Sequence, residues 1–141
     1  MKLLISPGKG VGAIEFGMSQ TQVHDLFNVK LEPFKRNKLC TEPCDYYRDL
    51  GLFVYYSAEG IVEAVEFGLS SCPPVFEGIN LLSLSFDSAQ KQLLQFDKNL
   101  VSTNSDLISF KLGIGAWAPT AKEEPHLPIQ SVIVFDEGYY D

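Results

Sequence analysis

A chain of 141 residues with 45% hydrophobic content has material for one domain, or for two small subdomains sharing a core, and is not a disordered chain. Eighteen acidic residues against eleven basic ones give a net charge of −7; such a surface repels phosphate backbones, which argues against nucleic acid as a partner. The first apolar run, Leu3 to Ile5, stops before Pro7 and is too short for a secretory signal, and no later run reaches bilayer length, so the expectation is a cytoplasmic protein without a membrane partner.

Leu3-Leu4-Ile5 suits a short edge strand. Pro7-Gly-Lys-Gly-Val-Gly12 is glycine-rich, but Gly8-Lys9 is followed by Gly10 where a phosphate loop needs Ser or Thr; a turn into a strand is expected. Gly12 to Phe27 then reads as a strand feeding a capped amphipathic helix. Ser19 stands at the N-cap with Gln22 three residues on, the Ser-x-x-Gln capping box. Val23, Leu26 and Phe27 share one helix face. Between Asn28 and Asn37, and just beyond, Lys30, Lys35, Arg36 and Lys38 outnumber Glu32, which suggests an exposed basic loop interrupted by Pro33.

Leu52-Phe-Val-Tyr-Tyr56 has the composition of a strand, Ser57-Ala-Glu-Gly60 that of a turn, and Ile61 to Phe67 that of the partner strand. The pair forms a hairpin with one face buried and one wet. Gly68 to Pro74 connects to a second half that opens at Val75. Ser85 or Asp87 caps a helix running to about Phe96, with Ala89, Leu93 and Phe96 on one face. Leu107 to Leu112 and Gly113 to Trp117 suit strands, Pro119 to Pro128 a polar loop, Ile129 to Phe135 a last strand, and 136–141 an acidic aromatic tail. The expected core comprises Phe16, Val23, Leu26, Phe27, Val54, Val65, Phe67, Leu82, Leu93, Phe110, Val132 and Val134.

The halves align. Ser19 matches Ser85, Val23 matches Ala89, and Val62-Glu-Ala-Val65 matches Ile129-Gln-Ser-Val132. The fold class expected is α+β, with two tandem helix-plus-antiparallel-sheet pseudo-repeats, 1–70 and 71–141, forming one compact unit. Cys40, Cys44 and Cys72 are expected to be free thiols in a reducing compartment. A Cys-x-x-x-Cys pair with Cys72, His24 and His126 has no recognisable metal spacing, so neither metal nor cofactor is expected.

Gly17-Met-Ser-x-x-Gln-Val-x-x-Leu26 resembles the helix start of the small SmpA/OmlA-like lipoproteins of outer-membrane assembly. The wider fold includes the β-lactamase inhibitor protein, built from two tandem copies of such a unit. In size, acidity and its Gly-Ile-Gly-Ala-Trp, Val-Ile-Val-Phe and Gly-Tyr-Tyr segments, the chain also resembles small immunity proteins encoded beside bacterial polymorphic toxins. That resemblance implies stoichiometric binding of a cognate, basic protein toxin.

No catalytic pattern includes His24 or His126, and Glu63 with Glu66, or Glu123 with Glu124, could serve as acid and base only if a fold brought them together. No catalytic residue is assigned. The candidate functions are a toxin-binding immunity protein, an envelope-assembly or scaffold protein, and a small hydrolase with an unrecognised site. The second half holds nine acidic and four basic residues against nine and seven in the first, so the stronger negative field falls there. Trp117, Tyr139 and Tyr140, beside Asp136, Glu137 and Asp141, are the candidate interface anchors, and Glu123 and Glu124 extend the acidic surface. Alternatively, Trp117 belongs to the core and the tail frays.

Overall fold

The computed structural model describes residues 3–27, 44–68 and 72–140. The basic stretch from Asn28 to Asn37, Lys38, Cys40 and Asp141 lie outside the described residues. Among these residues the chain is α+β, with two sheets and two short α-helices.

Helix α1 (Gln20–Leu26) starts where its caps dictate. The Ser19 hydroxyl accepts from the Gln22 N–H at 3.2 Å, and Gln22 Oε1 accepts from the Ser19 N–H at 2.9 Å, which closes the capping box. Its attachment is as much polar as apolar. Gln20 and His24, one turn apart, both reach Asp45 on strand β4 (Cys44–Tyr47), with Val23 buried beside them. That orientation corrects one expected core residue. Leu26 lies round the helix from the docked face and is 40% exposed, while Phe27 is half-buried with its ring centroid 4.8 Å from that of Tyr47. Helix α2 (Phe86–Leu94) is capped by Ser85, whose hydroxyl accepts from the Ser88 N–H, and buries Phe86, Ala89 and Leu93. Phe96 lies past the helix end, half-buried and edge-on to Phe76.

The large sheet joins β4, β5 (Leu52–Tyr56), β6 (Val62–Phe67), β12 (Ser131–Phe135), β11 (Ile114–Trp117), β10 (Asp106–Ser109) and β9 (Val101–Ser102) in that order, antiparallel throughout. The hairpin expected over 52–67 is present, and Gly60 takes a φ of 79° in its turn. The smaller sheet runs β3 (Ile14–Glu15), β2 (Gly10–Val11), β1 (Leu3–Ser6), β7 (Pro74–Phe76) and β8 (Ile79–Asn80). Two expectations fail there. Strand β1 is central rather than an edge, and it runs parallel to β7, pairing Leu3 with Pro74. The two strands come from different halves, so the long connection needed for parallel pairing exists. Pro74 is tolerated as the first residue of its strand.

Period-two alternation then sorts the large sheet. Leu52, Phe67, Val132, Ala116 and Leu107 form one inward row, and Val54, Val65, Val134 and Ile114 another. Both helices and β1 and β2 pack into the same core. Of the remaining expected core residues Leu82 and Leu93 are buried, Phe16 only partly, and Phe110 not at all, at 59% exposure. The strand expected over 107–112 ends at Ser109, so Phe110 falls in the turn before Gly113. Below it, Asp97 is buried and accepts from the Ser109 hydroxyl at 2.7 Å and the Asn99 N–H at 2.9 Å.

Each helix start is pinned to the large sheet. Ser19 bridges Ile61 just before β6, where the Val62 N–H donates to the Met18 carbonyl, and Ser85 bridges Pro128 before β12, where the Ile129 N–H donates to the Leu84 carbonyl. The thiol expectation is corrected at one position. Cys44 is disulfide-bonded, whereas Cys72 keeps its thiol and is buried.

Candidate binding face

The strand register that fills the core also aligns a row of side chains on the opposite face. Tyr46 pairs with Phe53, Phe53 with Glu66, Glu66 with Ile133, Ile133 with Gly115, and Gly115 with Ile108. Two residues further along each strand, on the same face, Trp117 lies between Ser131 and Asp106. At the β4 end the face is aromatic: Tyr46 stacks on Phe53 at 4.5 Å, and Phe53 lies nearly parallel to Tyr55 at 6.2 Å. These rings are only partly buried, and contiguous, partly exposed aromatic surface of this kind is what binding faces present.

Glu66 holds the middle of the face. Its Oε1 accepts from the Tyr55 hydroxyl at 2.6 Å and its Oε2 from the Ser131 hydroxyl at 2.7 Å. Burial, and then the hydrogen bond to Glu66, hold the Tyr55 hydroxyl protonated far above the ordinary phenol value. Beside Glu66 the sheet forms a depression of about 300 Å³, with Gly115 at its floor and Trp117 and Tyr140 at its rim. Burial, followed by the charges of Glu66 and Asp106, raises the Tyr140 phenol, and burial with neighbouring Tyr140 pushes Tyr139 up to about 12.

The residues anticipated as interface anchors divide. Trp117, 47% exposed, and Tyr140, 50% exposed, meet at this depression, so Trp117 is not core. Tyr139 is half-buried beneath Tyr140, their rings 4.9 Å apart, and Phe135 contacts both. The segment through Tyr140 is therefore packed rather than frayed. Asp136 and Glu137 make its turn: the Asp136 N–H donates to the Glu63 carbonyl, and the Asp136 carboxylate accepts from the Glu137 N–H. Glu123 and Glu124 stand exposed in the loop after Pro119, apart from the depression. Phe53, Tyr55, Glu66, Asp106 and Ser131 were not anticipated as binding residues. The signal available was the aromatic content of the wet positions in Leu52 to Tyr56.

A second polar cluster lies at α1. Asp45, 4% exposed, accepts from Gln20 Nε2 at 2.9 Å and from the Tyr56 hydroxyl at 2.6 Å, with His24 Nε2 at 2.8 Å. The His24–Asp45 contact ties α1 to β4. His126 is exposed in its loop. Among the described residues no three His, Cys, Asp or Glu side chains converge as metal ligands, and no helix is long and apolar enough to cross a membrane. No family model, no curated protein and no solved structure matches the chain, so the case for this face rests on its own geometry.

Proposed function

We propose that this protein is a stoichiometric protein-binding module, an immunity protein that neutralises a cognate basic toxin through the open face of its seven-stranded sheet. The observation that carries the reading is the register-aligned row of partly exposed aromatics flanking Glu66. Aromatic anchors around a polar centre are the composition of an interface core, and the net charge of −7 steers a basic partner towards it. The reading includes a two-repeat architecture. It is supported by the matched Ser19 and Ser85 caps, by their bridges to Ile61 and Pro128, and by β6 and β12 pairing at the middle of the sheet.

The test is to mix the purified chain with the product of the adjacent gene and follow binding by calorimetry. One-to-one binding is expected, with F53A and W117A each weakening it roughly tenfold or more, as hot-spot truncations do. Unchanged affinity in both variants would take the interface off this face. The immunity reading places the chain in the cytoplasm. An envelope-assembly or scaffold role is the second reading, and the disulfide at Cys44 favours it, because such bonds persist in oxidising compartments. Thiol labelling in intact cells separates the two: a labelled Cys44 fits the cytoplasm, an unlabelled one the envelope.

A further inference from the structure

We infer that the depression between Trp117 and Tyr140 is a socket for one arginine guanidinium of the partner protein. The inference rests on the sheet face being the binding surface, and it names the chemical group the surface takes. The depression, about 300 Å³, lies at the lower end of small-molecule pockets and suits a side chain rather than a cofactor.

Its floor is open because residue 115 is glycine. A Cβ there would stand 2.9 Å from Ile133 Cγ2, so any larger residue would crowd that space. Its rim is aromatic, and among the described residues no other ring covers the Trp117 indole. Its two acids, Glu66 and Asp106, sit on different strands and reach it from different sides. Both are half-buried, and their carboxylates accept only from hydroxyls: Glu66 from Tyr55 and Ser131, Asp106 from Ser105 and Thr103. No lysine or arginine among the described residues pairs with either.

Two half-buried carboxylates without a cation, around an uncovered indole face, call for a cation that is both flat and rich in donors. A guanidinium lies flat on an aromatic ring while its edge donates to carboxylates, and it is more weakly hydrated than an ammonium. A lysine ammonium would satisfy the charge but neither the shape nor the paired donation.

The chain has a single tryptophan, and it stands at the socket, so its fluorescence reports occupancy directly. The full chain is titrated with N-acetyl-arginine amide, and in parallel with the lysine and the neutral citrulline counterparts. A saturable change is expected with the arginine probe, at least threefold weaker binding with lysine, and no response to citrulline. E66Q and D106N should each weaken arginine binding about fivefold to tenfold, consistent with the loss of a charged hydrogen-bond partner. G115V, with its fold checked by circular dichroism, should abolish the response. No saturable response to arginine, equal responses to arginine and citrulline, or equal binding of arginine and lysine would each overturn the assignment. If the probe fails while the partner protein still binds and W117A still weakens it, the socket falls and the binding face stands. If the probe binds and no protein does, the depression's preference for a guanidinium stands, and the protein partner and the binding face fall together.

Discussion

Replacing Asp45 should detach helix α1 before it unfolds the sheet. The carboxylate accepts from the Tyr56 hydroxyl and the Gln20 amide and meets the His24 ring, and it is 4% exposed. Gln20 and His24 are near enough to solvent for water to replace Asp45, His24 being 38% exposed. Tyr56 is fully buried and has no such recourse. D45A therefore loses charge-assisted bonds and orphans a buried hydroxyl, a combined cost of about 3–5 kcal/mol. D45N keeps one acceptor oxygen and should cost about 2 kcal/mol. Y56F removes the donor that D45A orphans, so the double variant should be less destabilised than the sum of the singles by about 1–2 kcal/mol. Urea denaturation gives these values, and hydrogen exchange shows where the loss falls. With Val23 its only buried residue, α1 should lose protection while β6 and β12 keep theirs. Additivity of the two single changes, or undiminished protection across α1, would refute the argument.

Other outcomes follow from the same structure. Burial, and after it the charge of Asp45, raise the Tyr47 phenol to about 12, and burial raises Tyr139 likewise to about 12; phenolate absorbance should show both titrating there. Because folded values are raised, these tyrosines contribute stability that is complete below the ordinary phenol value of about 10 and is lost as pH rises through about 12. The Ser109 hydroxyl holds the Asp97 carboxyl below its usual range, so its contribution is complete above the ordinary value of about 3.9 and fades as pH falls through the depressed one. S109A should lower the urea midpoint at neutral pH and shrink its fall on acidification. F27A should cost about 1–2 kcal/mol, below the range for an enclosed phenylalanine, because Phe27 is half-buried; a loss above 3 kcal/mol would mean it is more enclosed than it stands here.

Features decided by near neighbours were legible in the sequence. Ser19 with Gln22 announces its capping box, and Leu52 to Phe67 announces a hairpin, because caps and turns are settled within a few residues. Phe110 was misjudged because one residue separates strand from turn, and hydrophobicity does not mark that boundary. Leu26 was misjudged because a polar anchor on a distant strand sets the rotation of α1. The proposed binding face lay furthest out of reach. Phe53 and Tyr55 alternate visibly with Leu52 and Val54, but which set is covered depends on what packs from elsewhere. Glu66 and Asp106 share a depression only because β12 and β11 lie between their strands, and such register cannot be read locally.

The pairing of β6 with β12 puts the middle of the sheet under the control of the order of synthesis. Strand β12 is the last of the described strands in sequence yet sits at the centre, while β5 and β6 can pair as a hairpin long before it leaves the ribosome. Until then β6 presents a bare hydrogen-bonding edge lined by Val62, Val65 and Phe67, the kind of edge on which nascent chains stick to one another. A half-made copy is thus a hazard that the finished one is not. Slow elongation or a premature stop between Phe67 and Ser131 should be felt as aggregation, even for variants that would be stable once complete.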